Sequence, residues 1–184
     1  MNHTKLKSHL RVSKITSRVS TIKGVFAQAI APRDPYDLEV ITTALRFLGQ
    51  DIDTSLACVF CNEEATTWDH LTGTVKGGEL RGFGHRIGNL APCCSSCNSA
   101  KGGKSIQDFV KNSTRIKGDR HSLIELLTTY QNIFATAIDF TALNGSQHYA
   151  DYLLIRDQII ELMKDADTLA RKIRPLLEER EKSA

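Results

Sequence analysis

The sequence contains no long hydrophobic run. Its apolar stretches stay well below the roughly 20 residues that a transmembrane helix needs. No short apolar core follows Met1, as one does in a secretory signal peptide, and no internal repeat is visible. We therefore expect a globular protein without a membrane segment, located in the cytoplasm.

Acidic residues are absent from the first 33 positions, which carry seven lysines and arginines. Residues 34–70 reverse the balance, with eight acids against Arg46, and residues 71–120 return to nine bases against three acids. Basic zones on both sides of an acidic segment favour a polyanionic partner, although charge blocks are also typical of solvated faces. An acid-free start is typical of an organellar transit peptide as well, but an arm that contacts phosphates would have the same composition.

At 184 residues the chain has the size of one domain, or of a small domain with helical additions. Residues 1–31 lack clear periodicity and are predicted to form a basic N-terminal arm. Residues 32–55 are predicted to be a helical lead-in, because apolar residues recur at helical spacing from Leu38 to Leu48 and Gly49 can end the helix.

Two amphipathic patterns occupy residues 121–184 and are separated by a predicted turn at residues 144–146. Ser122 and Glu125 have the spacing of a capping box in front of the first pattern. We predict a helical hairpin here, which serves either as an intramolecular core or as the interface of a homodimer.

Four of the five cysteines form two Cys-x-x-Cys pairs, Cys58/Cys61 and Cys94/Cys97. Each pair can bind one side of a tetrahedral zinc ion, and four thiolates leave no open coordination position, so the predicted zinc is structural. The 32 residues between the pairs exceed the roughly 15–20 of a compact zinc ribbon. Redox pairs and buried cysteines without a ligand role are the alternatives. Cys93 is either a buried small residue or a competitor of Cys94.

Asp69 and His70 lie between the cysteine pairs, in a predicted short strand within residues 65–74, and a glycine-rich loop or loose hairpin follows over residues 76–88. Asn98 follows Cys97 at the start of a predicted helix over residues 98–112. If zinc joins the pairs, the carboxylate and the amide oxygen could converge on a hard divalent cation. Without the cysteines, Asp69-His70 would indicate only an exposed turn.

Several separated positions form one ordered series. The series consists of Cys58-x-x-Cys61, Asp69-His70, Asn89-Leu90 and Cys94-x-x-Cys97-Asn98-x-x-Lys101-Gly102. It resembles the HNH, or ββα-metal, nuclease family, in particular the branch with four zinc-binding cysteines that includes phage junction-resolving endonucleases and some restriction enzymes. The resemblance implies an α+β protein with a small zinc-stabilised ββα-metal core over residues 56–112, an N-terminal helical segment and the C-terminal helical hairpin.

The resemblance also implies a role for four polar residues. Asp69 and Asn98 would be ligands of a catalytic Mg²⁺ or Mn²⁺ ion. His70 would be the general base that activates the attacking water, and Asn89 would orient the imidazole of His70. Cys58, Cys61, Cys94 and Cys97 would hold the structural Zn²⁺.

Six further residues surround the predicted centre and are predicted to contact DNA: Lys76, Arg81, His85, Arg86, Lys101 and Lys104. The alternative to a DNA contact is a solvated surface position for each lysine and arginine. For His85 it is an exposed position in the loop.

The residues and the resemblance together predict a metal-dependent DNA endonuclease that leaves 5′-phosphate and 3′-hydroxyl ends. A restriction-like, sequence-specific enzyme is the preferred version, because no second large domain accompanies the predicted core. Homing, packaging and junction-resolving nucleases would share the chemistry. The alternative from another class is a zinc-scaffolded nucleic-acid-binding module without catalysis.

Overall fold

The computed structural model describes residues 6–181. Its α-helices are α1 (Leu6–His9), α2 (Val19–Ala29), α3 (Leu38–Phe47), α4 (Ser95–Lys101), α5 (Ile106–Asn112), α6 (Arg120–Phe134) and α7 (Gln147–Glu181). Its strands are β1 (Thr67–His70), β2 (Val75–Lys76), β3 (Glu79–Leu80) and β4 (Leu90–Cys93). Three 3₁₀ turns span Ile15–Arg18, Ile87–Asn89 and Phe140–Leu143. Among these helices, none is both long and apolar enough to cross a membrane.

Two small antiparallel sheets position the central polar residues. β1 pairs with β4 in a register that places Thr67 opposite Cys93 and His70 opposite Leu90, and β2 pairs with β3 in a short hairpin. The helix α4 begins two residues after β4 ends. The α+β class predicted from the sequence is confirmed, with short strands and a helical majority.

The described chain divides into two compact units. One contains residues 27–140, and the other contains residues 6–26 and 141–181. In the first unit, α6 packs against α5 and against the turn Ile87–Asn89. In the second unit, α7 packs against the turn Ile15–Arg18. The two helices of the predicted hairpin thus belong to different units, and their pairing stays a prediction. An amphipathic pattern shows that a helix has a face to bury without showing what covers that face.

The described part of the basic arm is helical and is attached to α7. Asp167 accepts hydrogen bonds from the backbone N–H groups of Ile15 (2.7 Å) and Thr16 (3.1 Å) and from the Thr16 hydroxyl (2.6 Å). These bonds hold the pKa of the Asp167 carboxyl below its usual range. The ring centroids of Phe26 and Tyr152 lie 4.9 Å apart. Residues 1–5 of the predicted arm lie outside the described residues.

The ends of several helices are set by N-capping side chains or by glycine. The predicted helix before Gly49 is confirmed as α3, whose first turn is capped by Asp37. The predicted helix over residues 98–112 is instead two helices, because Gly102 ends α4 at a φ of +49°. The helix α6 begins earlier than its predicted capping box, since the carboxylate of Asp119 accepts from the N–H of His121.

The core of the larger unit packs around the cysteines. Leu71, Val110 and Leu127 are fully buried, and the rings of Phe60 and Phe109 meet edge-on at a centroid distance of 5.0 Å. Four cysteines (Cys58, Cys93, Cys94 and Cys97) belong to the same buried cluster. The sheet of β1 and β4 therefore packs on a close-packed core that contains three of the predicted zinc ligands, Cys58, Cys94 and Cys97.

Candidate metal centre and the neighbouring histidine pair

The four cysteines of the two pairs converge. The Sγ atoms of Cys58, Cys61, Cys94 and Cys97 all lie within 4.8 Å of one another, and Cys61 and Cys94 are 3.6 Å apart. Thiolates around a zinc ion with bonds of roughly 2.3 Å lie roughly 3.5–4 Å apart. The cluster therefore fits a tetrahedral metal ion such as zinc, and the predicted grouping of these four residues is confirmed.

Local backbone geometry sets the direction of these thiols. Cys94 is the N-cap of α4, and its Sγ accepts from the N–H of Cys97 at 3.4 Å. On the other side, the N–H of Asn62 bonds to the carbonyl of Cys58, and Asn62 takes a positive φ of 62°. Each Cys-x-x-Cys pair thus lies in a tight turn that points both sulfurs the same way.

Cys93 lies beside the cluster but is not one of the four. Its thiol is fully buried, 3.9 Å from the Sγ of Cys58. The hydrogen bond between the thiols of Cys58 and Cys93 lowers the pKa of Cys58, although burial acts in the opposite direction. Cys94, not Cys93, belongs to the four converging sulfurs, and the Cys93 thiol donates to the carbonyl of Cys94 at 3.3 Å.

Arg115 is a further contact of the cluster that the sequence did not indicate. Its Nε donates to the Sγ of Cys97 at 3.3 Å, and its terminal nitrogen lies 3.4 Å from the carboxylate of Glu63. Arg115 stands 18 residues beyond Cys97 and belongs to none of the cysteine motifs, so no spacing pattern points to it.

We expect Arg115→Gln to lower zinc affinity by about 10–100-fold, because donors to metal-bound thiolates orient and stabilise them. The measurement is competition for zinc with a chromogenic chelator. The matched control is Glu63→Ala, which removes the other side-chain partner of Arg115 and leaves the bond to Cys97 in place. Equal affinities of the two variants would contradict a role for the Arg115–Cys97 bond.

Asp69 and Lys101 form a buried ion pair on the side of β1 that faces α4. The Nζ of Lys101 lies 2.9 Å from Oδ2 of Asp69 and donates to the carbonyl of His70 at 2.7 Å. Burial raises the pKa of Asp69, and the charge and hydrogen bond of Lys101 act against that shift. The other oxygen of the Asp69 carboxylate, Oδ1, takes no part in this ion pair.

The predicted contact of Lys101 with a DNA phosphate is wrong in this structure. The Lys101 side chain is 0% exposed, and its ammonium group is already engaged by Asp69 and His70. The reason is geometric: Lys101 is on the face of α4 that packs on β1, and its long apolar stem carries the charge under the sheet rather than to the surface.

His70 is hydrogen-bonded to His85. Nε2 of His70 and Nδ1 of His85 are 2.9 Å apart, and the two rings meet edge-on at a centroid distance of 5.0 Å. Burial lowers the pKa of His70, and the nearby charges of His85 and Lys101 lower it further. His70 is therefore held as a neutral imidazole near neutral pH.

Asn89 does not contact the His70 ring, which corrects its predicted role. Its side-chain oxygen accepts from the N–H of Thr72 and from Nε2 of Gln131, each at 2.8 Å. Its side-chain nitrogen donates to the carbonyls of Thr72 (3.0 Å) and Gly84 (2.9 Å). Asn89 acts on the histidine pair only through the backbone, by holding Gly84 next to His85.

Loss of the Asn89 side chain is expected to destabilise the protein strongly. Asn89→Ala leaves four buried or half-buried polar groups without their partner, at a cost of about 2–4 kcal/mol in the free energy of unfolding. Urea denaturation measures this difference. Asn112→Ala removes a single exposed bond and should stay within about 0.5 kcal/mol of wild type. Similar midpoints for the two variants would contradict the role assigned to Asn89.

The backbone of His85 is clamped by a distant segment. The N–H of His85 donates to the carbonyl of Pro32 at 2.8 Å, and the carboxylate of Asp34 accepts from Arg86 and from the N–H of Ile87, each at 2.8 Å. Gly84 is required beside them, since its φ is +67° and a Cβ would lie 2.4 Å from the Pro32 carbonyl oxygen. The sequence did not point to Asp34, whose partners are more than 50 residues away.

Helix α6 packs against the turn Ile87–Asn89. The hydroxyl of Tyr130 donates to the carbonyls of Ile87 (2.9 Å) and Leu90 (2.8 Å). Gly88 allows this approach, because a Cβ there would lie 2.5 Å from the backbone of Phe134. Tyr130 and Gln131 therefore belong to the framework of the site.

The other residues predicted to bind the catalytic metal or DNA differ in their exposure and in their hydrogen-bond partners. The side chain of Asn98 is half-buried and donates to the carbonyl of Trp68 at 3.5 Å, which places it beside the residue that precedes Asp69. Lys76 and Lys104 are exposed. The Nε of Arg81 donates to the carbonyl of Gly73, and the guanidinium of Arg86 is paired with Asp34.

Comparisons with family models, with curated proteins and with solved structures gave no match to this chain. The functional assignment therefore rests on the residues and their geometry.

Proposed function

We propose that this chain is a metal-dependent DNA endonuclease built on a zinc-stabilised core of the HNH type. The observation that carries the proposal is the half-buried His70–His85 pair. His70 ends β1, and the paired strand β4 ends at Cys93, next to Cys94 of the four-cysteine cluster. Hydrolysis by an activated water needs a general base that is held in position, and a neutral histidine beside a framework fixed by a metal ion can be that base.

The tautomers of the pair decide whether His70 can accept a proton. A neutral imidazole carries one N–H. If Nε2 of His70 donates to Nδ1 of His85, then Nδ1 of His70 is bare and can take the proton of a water molecule. The resulting imidazolium keeps its hydrogen bond to Nδ1 of His85. In this role His85 orients the base, as a carboxylate does in a catalytic triad.

Asp69 and Asn98 are the residues that would hold a catalytic Mg²⁺ or Mn²⁺. Lys101 fixes Oδ2 of Asp69 and thereby leaves Oδ1 for a cation, and Asn98 lies beside the same stretch of β1. Oxygen donors of this kind suit a hard divalent ion. When bound, such an ion supplies charge stabilisation to the phosphate and to the leaving 3′ oxygen. The products would carry 5′-phosphate and 3′-hydroxyl ends.

DNA is the proposed substrate, because residues 71–120 carry nine lysines and arginines against three acids. Lys76 in the β2–β3 hairpin and Lys104 after α4 are exposed, so their side chains could contact phosphates. A restriction-like enzyme in the cytoplasm is the version we prefer. The cytoplasm also keeps thiols reduced, as the five free cysteines require.

The test is digestion of a supercoiled plasmid with the zinc-loaded protein in Mg²⁺ or Mn²⁺, followed by sequencing of the ends. Nicking that requires the added metal and leaves ends that a ligase can seal supports the proposal. Cuts at discrete sites indicate a restriction-like enzyme, and cuts confined to branched DNA indicate a junction-resolving one. Absence of cleavage with every one of these substrates and metals would overturn the proposal.

A zinc-scaffolded DNA-binding module without catalysis is the second candidate. The observation that favours it is the Asp69–Lys101 ion pair, in which the lysine ammonium already neutralises the proposed ligand of the catalytic ion. A gel-shift assay separates the two candidates, since the module would retain DNA without cleaving it in Mg²⁺ or Mn²⁺.

A further inference from the structure

Helix α7 carries an apolar stripe that the other elements of its own unit leave largely exposed. Ile155, Leu162, Leu169 and Leu176 recur every seven residues, and each is more than half exposed. Three more apolar residues, Ile159, Ala166 and Ile173, follow the same seven-residue period and are half-buried or exposed. Soluble monomers rarely expose a continuous apolar surface of this length.

The stripe is separate from the face of α7 that packs within its own unit. That other face contains Asp167, which is bonded to Ile15 and Thr16, and it buries Arg156 and Ile160. The intramolecular contacts of α7 therefore leave the stripe available to a partner.

The repeat is that of a coiled coil. Ile159, Ala166 and Ile173 take the a positions of a heptad, and Leu162, Leu169 and Leu176 take the d positions. A seam of apolar a and d positions is the surface that a helix buries in a coiled coil. We propose that α7 forms an antiparallel two-stranded coiled coil with α7 of a second copy of this chain.

Side-chain volume favours the antiparallel orientation. In a parallel pair in register, Ala166 would face Ala166 of the partner subunit and leave a void in the middle of the stripe. In an antiparallel pair, a positions face d positions, so Ala166 faces Leu169 of the partner subunit. The neighbouring layers then combine Ile159 with Leu176 of the partner subunit, and Ile173 with Leu162 of the partner subunit, so every layer contains a leucine and none joins two alanines.

Charge favours the same orientation. Asp165 and Lys172 flank the stripe at successive g positions and are both exposed. The antiparallel alignment that pairs Ala166 with Leu169 of the partner subunit places Asp165 opposite Lys172 of the partner subunit, twice per dimer. In a parallel pair the same residues would face the apolar e positions Ala170 and Leu177 of the partner subunit and would contribute no attraction.

The first test measures the mass of the full-length protein in solution, without DNA, across a wide range of concentration. Wild type is expected to be a dimer, and Leu169→Glu should raise its dissociation constant by at least about 100-fold, because a carboxylate is buried without a partner. Leu162→Glu should repeat the effect one heptad away. Leu154→Glu is the matched control, since Leu154 and Leu169 are both 57% exposed on the same helix but Leu154 lies off the stripe.

Circular dichroism of each variant verifies that the fold is retained. A monomeric wild type at every concentration overturns the proposal, as does a larger assembly or equal dissociation of Leu154→Glu and Leu169→Glu. Because no DNA or catalytic metal is present, a negative result here leaves the proposed nuclease activity unaffected, and a negative cleavage assay leaves this dimer unaffected.

The second test addresses orientation. Asp165→Lys places like charges opposite each other in the antiparallel pair and should raise the dissociation constant about three- to tenfold at low salt. The double variant Asp165→Lys/Lys172→Asp should return it to the wild-type value. An unchanged constant in Asp165→Lys, or no recovery in the double variant, overturns the antiparallel orientation.

Discussion

His70→Ala is expected to reduce plasmid nicking in Mg²⁺ or Mn²⁺ to the background level, a loss of about 10²–10⁴-fold. The physical reason is that the side chain supplies the only proposed proton acceptor at the site, where burial keeps its imidazole neutral and lowers its pKa. The measurement is the initial rate of conversion of supercoiled to open-circular DNA, made with equal concentrations of zinc-loaded wild type and variant.

The control for this variant is His121→Ala, which changes an exposed histidine in the first turn of α6. It should keep the wild-type rate. Zinc content and the urea midpoint of His70→Ala should stay close to wild type, since the ring lies outside the four-thiolate cluster. Wild-type nicking by His70→Ala would remove histidine catalysis from the proposal and leave the binding module as the better explanation.

Cys97→Ser is expected to lose the bound zinc and, with it, the cooperative unfolding transition. Structural zinc sites bind with a free energy on the order of 10 kcal/mol that is also folding energy. That amount is comparable with the roughly 5–15 kcal/mol of total stability of a protein this size. Cys97 is fully buried in the main core cluster, so its change affects the metal and the packing together. Metal analysis and thermal denaturation measure the two losses.

Cys93→Ser is the matched control, because Cys93 is equally buried and lies beside the cluster but is not one of the four converging thiols. It should retain stoichiometric zinc and unfold cooperatively at a somewhat lower temperature. If Cys97→Ser keeps its zinc, or if both variants lose it equally, the assignment of the four ligands is wrong.

The cysteine cluster could be predicted because its geometry is mostly local. Two residues separate the members of each pair, and such a turn directs both sulfurs to one side whatever surrounds it. Only the meeting of the two pairs is long-range, and a shared tetrahedral ion is the simplest reason for both to occur in one short chain. The structure brings the four sulfurs within 4.8 Å.

The partners of the polar residues could not be predicted in the same way. Lys101 was expected at the surface on account of its charge, yet the face of α4 that carries it packs on β1 and buries it against Asp69. His85 was expected to contact phosphate, yet the clamp from Pro32 brings its ring to His70. Asn89 was expected to orient that ring, and it instead holds the loop that carries His85.

The sequence by itself determined the elements that depend on neighbours along the chain: the helix before Gly49, the paired cysteine turns and the α+β class. Only the tertiary structure decided which elements share a unit, which charges are buried and which two histidines share a hydrogen bond. The physical reason is that turns and periodicity arise from short-range backbone geometry. Burial and pairing depend on packing between segments that are more than 50 residues apart, and local patterns do not encode that packing.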